Sequence, residues 1–466
     1  MKFKFKSAIA LIVVMALLAA CAGAPGGGAA APAADPPADA PAPAAADDDN
    51  GDDADDAPAP APAGDAEEIL FWFSHGSDPD YTSLREIADD FNAKNPHYNV
   101  VAEWVGGGGA GVGITDVLMT SIAGGDPPDM VLFDRFQVGQ WASQGLFEEL
   151  TYMAADAGIV PSDFFEFAWQ EASLDGRLYA MPFDTDNRAL FVNLDMLAEG
   201  GFEPPTTIAE LDAIADALTI REGTRYIQFG IVPWLSQGFL YTWAGAFGAT
   251  FQDPATGRIT FDHPQAIAAL EWMTDFAGRF EIEHIQDFTA AAGGGDLNPF
   301  AAGLVAMMVC GPWQVAGLRL RAPDLNWTVV SIPTPDGSVA RTMAGGWSMI
   351  VPLGASNVQG GFDLAYYYTV GEGAVRYGDD TTKFMTNIAV NDQLRWIQDD
   401  IETFRVFVEG FPYSFNRPVV PIGQMLWDEQ MTAQNNALFG VDTPENLLRE
   451  MNERVNAELQ RIGFID

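Results

Sequence analysis

Paired carboxylates are the first residues in this 466-residue chain that could do chemistry. Asp184 and Asp186 stand two apart in the loop-like stretch Pro182-Phe183-Asp184-Thr185-Asp186, and two acids flanking a glycosidic bond are the machinery of a glycosidase. Residues 69–466 hold 53 acids, however, so a pair of this kind arises from abundance alone. Metal chemistry has less support. His75, His97, His263 and His284 are scattered singly, and the two cysteines, Cys21 and Cys310, exclude a disulfide scaffold or a multi-cysteine zinc site. Cys310 ends an apolar run and reads as a small buried hydrophobe. The chain has no phosphate loop, no H-E-x-x-H and no G-x-S-x-G. Residues 106–111 satisfy G-x-G-x-x-G, but a run of glycine and alanine matches that pattern by composition and reads as a loop. No catalytic centre and no cofactor are expected.

Aromatic residues offer a different chemistry. Trp72, Phe183, Trp243, Trp313, Trp347 and Trp427 punctuate turns and the ends of predicted elements. An indole has a flat apolar face and one N–H donor, the combination that stacks on the C–H face of a pyranose ring.

Composition narrows the partners. With 23 bases against 65 acids the formal net charge is −42. Nucleic acid is therefore a poor partner, because its binding draws on lysine and arginine neutralising phosphates. Lys2, Lys4 and Lys6 precede a short apolar run ending Leu18-Ala19-Ala20-Cys21. That run is too short to span a bilayer and suits a signal peptide over residues 1–20. Residues 21–67 are Ala, Pro, Gly and Asp with almost nothing to bury, which predicts an extended, disordered spacer.

The elements that must position any site begin at residue 68. Ile69-Leu70-Phe71-Trp72-Phe73 reads as a buried strand, residues 81–94 as a helix with Leu84, Ile87, Ala88 and Phe91 on one face, and 98–105 as the next strand. A helix over 114–122 leads to the strand Asp129-Met130-Val131-Leu132-Phe133. Thr207 and Glu210 have capping-box spacing at the head of a helix reaching 218. Further strands are expected at 189–193, 304–309, 328–332 and 347–351, with helices over 265–280 and from Thr443-Pro444 to about 461. Alternating strands and helices predict α/β layers around a mostly parallel sheet. The 398 residues from 69 onward exceed one ordinary core, so two domains are expected.

Five stretches together resemble the family 1 extracellular solute-binding proteins of ATP-driven importers. They are residues 69–73 with the following helix, Asp126-Pro127-Pro128-Asp129-Met130-Val131, and Gly176-Arg177-Leu178-Tyr179-Ala180-Met181-Pro182. The fourth is residues 191–197 with Pro204-Pro205-Thr206-Thr207 and Glu210; the fifth is Ala306-Met307-Met308-Val309-Cys310-Gly311-Pro312-Trp313. The resemblance implies a two-lobe α/β fold of Venus flytrap type with hinge strands between the lobes. One lobe comprises 68–181 and 346–390, the other 182–345 and 391–466, with crossings near 182–185, 344–347 and 388–390.

The similarity is greatest to maltose-type binders, and it selects site residues. Asp134 and Arg135 resemble that group's strand-end Asp-Arg, which takes sugar hydroxyls. Trp313 resembles its stacking tryptophan at a helix start, and Trp427 lies where a second is expected. Trp243 falls in a segment carrying a third aromatic, although the aligned position itself is Leu240. Trp72, Trp347 and Asp184 complete the candidate ligand set. The run Leu18-Ala19-Ala20-Cys21 resembles a bacterial lipobox, which implies cleavage before Cys21 and its lipidation, with the body held outside the cytoplasm. The protein is then a non-enzymatic monomer that delivers an oligosaccharide to the permease of an ABC importer. An anchored hydrolase using Asp184 and Asp186 is the alternative, as is the same fold binding a polyol, a glycerol-phosphate ester or a peptide.

Overall fold

Two sheets organise the chain, seen in a computed structural model that describes residues 66–106, 112–292 and 298–466. The signal peptide, Cys21, nearly all of the acidic spacer and most of the glycine run lie outside the described residues. The described residues fall within one compact unit, 59–466. None of their helices is long and apolar enough to cross a membrane.

The first sheet has five strands in the order Tyr98–Trp104, Glu67–Phe73, Met130–Asp134, Trp347–Ile350, Ala180–Pro182. Its core side chains Phe71, Phe73, Leu132 and Phe133 are at most 1% exposed. Fully burying one such side chain stabilises by about 1.5–3 kcal/mol, so packing holds the strand ends in place whatever binds there. The helix Asp80–Lys94 covers one face with Leu84, Ile87, Ala88 and Phe91, the four residues its apolar spacing selects.

The second sheet has three strands, Met307–Cys310, Ala189–Asn193 and Trp327–Val330. Every residue of Ala189–Asn193 is buried, as expected of a central strand. A helical layer beside it joins Pro264–Arg279, Gly423–Leu438 and Pro444–Arg461. The capping box is present: the Thr207 hydroxyl accepts from the Glu210 amide at 3.2 Å, and the Glu210 carboxylate accepts from the Thr207 amide at 3.0 Å. Thr443 caps the last helix, with Pro444 in its first turn.

One expectation fails. The sheets are not mostly parallel. Glu67–Phe73 runs parallel to both its neighbours, but Trp347–Ile350 pairs antiparallel with Met130–Asp134 and with Ala180–Pro182. The second sheet is wholly antiparallel. The reason is topological. Helical crossovers produce the parallel part, whereas Trp347–Ile350 returns to the first sheet after the chain has passed through the second, so no crossover sets its direction.

Short pairings lie beside the two sheets: Asp184–Thr185 pairs with Phe384–Met385, Thr342–Met343 lies parallel to Ser414–Phe415, and Asp186 bridges to Gly345. Gly346 has φ +131°, and a Cβ there would collide with the Asp184 carbonyl and lie 2.9 Å from an Arg135 nitrogen. Both the backbone conformation and the space at this crossing demand glycine.

Candidate functional site

A cavity of about 400 Å³ opens at the facing ends of the two sheets. From the first sheet come Asp134 at the end of Met130–Asp134, Trp347 at the start of its antiparallel neighbour, and His75 just beyond Glu67–Phe73. From the second come Arg188, which precedes Ala189–Asn193, and Pro312 and Trp313, which follow Met307–Cys310. Trp427 enters from the helix Gly423–Leu438, and the crossings supply Asp184, Asp186, Gly345 and Gly346. Three other depressions, of about 520, 540 and 670 Å³, are larger, but none of them includes a tryptophan.

Each indole on the wall is fixed. Trp313 is the first residue of the helix Trp313–Arg321, and the Arg188 guanidinium lies 5.2 Å from its ring centre. Trp427 stacks on Tyr241 with ring centres 6.1 Å apart and is edged by Phe239 at 5.2 Å. Trp347 meets the His75 ring edge-on at 4.5 Å. Three rigid flat faces thus border one space.

Charged groups converge between them. Lys383 forms an ion pair with Asp80, lies 3.6 Å from Asp184 and meets the Tyr377 hydroxyl at 3.0 Å. Burial raises the Asp184 carboxyl to about 6, against the pull of Lys383. Burial also acts to raise Asp80, but Lys383, His75 and the hydrogen bonds from Lys383 and Tyr377 outweigh it and hold that carboxyl low. Burial and the Lys383 charge lower His75 to about 3, leaving the imidazole neutral, and its Nδ1 has no hydrogen-bond partner among the described residues. Asp186 pairs with Arg188 and accepts from the Gly345 amide at 3.0 Å.

The residues singled out from sequence separate into two groups. Asp134, Asp184, Trp313, Trp347 and Trp427 share the cavity wall. Arg135, Trp72 and Trp243 do not line it. Arg135 is fully buried, and its guanidinium is spent on the protein: Nε donates to Glu171 at 3.1 Å, Nη1 to the carbonyls of Asp184 at 2.8 Å and Trp347 at 3.3 Å, and Nη2 to the carbonyl of Gly345. It ties the segment at Asp184 to that at Gly345–Trp347. Trp243 is also fully buried, its N–H donating to the Pro233 carbonyl at 2.9 Å. Trp72 donates to Glu103 at 3.2 Å across the neighbouring strand.

The candidate ligand set did not include Arg417, Phe239, Gln237 or Lys383, all of which line the cavity. Arg417 takes the position beside Asp134 that the strand-end motif had suggested for Arg135. It is 8% exposed, and its guanidinium lies 4.2 Å from the Phe136 ring centre and 5.9 Å from that of Trp427. Its nearest acids are Glu171 at 3.5 Å and Asp134 at 3.6 Å, and its Nε makes no hydrogen bond among the described residues. A buried guanidinium so poorly paired is costly unless an oxygen from elsewhere completes it. Phe239 supplies the aromatic that Leu240, fully buried, does not. Aromatic content in that segment was the available signal, one position away.

The family of bacterial extracellular solute-binding proteins matches residues 75–375. This chain belongs to that family. A maltotriose-binding protein of Pyrococcus abyssi is 23% identical over 257 residues, 54% of this chain and 51% of that protein, so the match spans about half of that relative's length. A probable ABC transporter-binding protein of Deinococcus radiodurans is 24% identical over 305 residues, 63% of this chain and 71% of its own. Among solved structures, CpMnBP1 with mannotriose bound aligns with TM-score 0.73 at 25% identity, covering 83% of this chain and 99% of that one. The GacH receptor of Streptomyces glaucescens aligns with TM-score 0.69 at 20% identity over 85% and 99%, and bears on the fold alone. Two lobes joined by hinge strands are thus this member's architecture too.

Proposed function

We propose that this solute-binding protein captures an uncharged oligosaccharide in the cavity between its lobes and delivers it to an ABC importer. One observation carries the reading: three fixed indoles, at the ends of both sheets and on the helix Gly423–Leu438, border a space into which carboxylates and guanidinium groups converge. Stacking faces suit pyranose rings, and a carboxylate or guanidinium offers two acceptors or two donors to neighbouring hydroxyls. The charges also indicate the ligand's own. Asp80, Asp134, Asp184 and Asp186 on the wall outnumber Arg188, Lys383 and Arg417, a balance that disfavours an anionic sugar. The sugar ligands of the maltotriose-binding relative and of CpMnBP1 point the same way. The lobes are assigned as 68–181 with 346–390, and 182–345 with 391–466.

Calorimetric titration with neutral manno- and malto-oligosaccharides, and with their uronic-acid counterparts, tests the reading. Saturable binding of a neutral saccharide, recovered intact after long incubation, is expected. Asp184, held near 6, is the group a hydrolase would use as acid. Released reducing ends would therefore replace the binder with an enzyme, and preference for the uronates would overturn the ligand class.

Anchoring at Cys21 belongs to the same reading and rests on the run Leu18-Ala19-Ala20-Cys21. A Cys21→Ser chain should leave the membrane fraction; one that stays there with unchanged maturation contradicts the anchor.

A further inference from the structure

Trp104 ends the strand Tyr98–Trp104 and is 51% exposed, although a tryptophan is normally largely buried. Its indole is not free to turn. The ring nitrogen donates to the Ser74 carbonyl at 3.3 Å. A Cβ on Gly76 would lie 2.6 Å from that nitrogen, and one on Gly106 would overlap the far side of the same ring system. The indole therefore rests directly on two stretches of bare backbone, a closeness that only glycine permits. Ser74 and Gly76 flank His75, which lines the cavity. The exposed ring is thus bonded to the very segment that forms the cavity wall.

Two features separate this residue from an incidental surface aromatic. Its orientation is already fixed, so a ligand stacking on it would lose little side-chain entropy. It also stands at the carboxyl end of a strand running parallel to Glu67–Phe73, the end at which open α/β sheets bind ligands.

We propose that Trp104 forms an outlying subsite that stacks one further pyranose of an oligosaccharide whose other units occupy the cavity. The inference rests on the sugar-binding reading and deepens it: the preferred ligand is a chain longer than the cavity holds. The test is calorimetry on the full chain with neutral manno- and malto-oligosaccharides of two to six units, for the unsubstituted protein, Trp104→Ala and Trp104→Phe. Affinity of the unsubstituted protein should rise with length and then level. Trp104→Ala should weaken binding of the longer saccharides roughly tenfold and leave that of the shortest binder unchanged, and Trp104→Phe should retain most of the gain. Equal loss at every length, no loss at any length, or affinity independent of length in the unsubstituted protein would each overturn the subsite while leaving sugar binding standing. Failure of the unsubstituted protein to bind any saccharide would remove the sugar-binding reading and the subsite together.

Discussion

Replacing Arg135 with methionine should lower the folding free energy by about 3–5 kcal/mol, the usual cost of removing one partner from a buried ion pair. Arg135 and Glu171 are essentially excluded from solvent, their side chains 0% and 2% exposed. Without Arg135 the Glu171 carboxylate keeps only Arg417, at 3.5 Å and without a hydrogen bond from its Nε. Burial already raises the Glu171 carboxyl against the pull of Arg417 and Arg135, so the variant loses part of what keeps it charged. The carbonyls of Asp184, Gly345 and Trp347 lose their donor in the same stroke. Adding Glu171→Gln should recover part of the loss, because a neutral amide is cheaper to bury unpaired. Denaturant unfolding of the single and double variants checks this. A single variant within about 0.5 kcal/mol of the parent, the range of ordinary surface changes, would show that Arg135 is no strut and return it to the candidate ligand set.

Arg417→Met should do the reverse, sparing the fold and removing most of the affinity. Methionine keeps apolar bulk between Phe136 and Trp427, and Glu171 keeps its 3.1 Å bond to Arg135. Asp134 is left with a side chain 27% exposed, enough for water to solvate it. The sugar loses the forked donor beside Asp134. Losing hydrogen bonds from a charged group costs about 1.5–3 kcal/mol, which is roughly 10- to 150-fold in dissociation constant. Arg417→Lys should not restore binding, since an ammonium cannot reproduce the planar fork. Calorimetry measures both variants, with thermal unfolding as the control. Unchanged affinity in Arg417→Met would take Arg417 out of the site.

These two arginines show what a sequence displays and what it hides. The strand ending in Asp134 was legible because four apolar residues before an acid mark a buried strand reaching an edge. The direction of the next side chain was not. Arg135 begins a short 3-10 turn in which the Asp134 carboxylate accepts from the Phe136 amide at 3.1 Å, and that turn carries Arg135 beneath the crossings. Arg417 was hidden for another reason. Its neighbours Asp134, Glu171 and Phe136 lie far away in the sequence, and no local pattern announces them.

The tryptophans divide on similar grounds. Trp313 follows a buried strand and opens a helix, so local grammar fixed its place at an edge. Trp243 and Trp427 both lie in helices, where an indole can satisfy its N–H on a core carbonyl or face a cavity, and sequence alone does not separate the two. The antiparallel return of Trp347–Ile350 was likewise beyond local patterns, since strand direction there depends on the chain's passage through the second sheet.

Small-angle scattering with and without saturating saccharide tests the central claim most directly. A ligand drives closure only through contacts that are better in the closed form, and a sugar held by Asp134 and Trp347 on one lobe and by Trp313, Arg417 and Trp427 on the other has such contacts. Starting from the unliganded protein, the radius of gyration should fall when the tightest-binding neutral saccharide is added, and should stay unchanged in Arg417→Met at the same concentration. A saccharide that calorimetry shows to be bound, yet leaves the scattering of the unsubstituted protein unaltered, would contradict capture between the lobes.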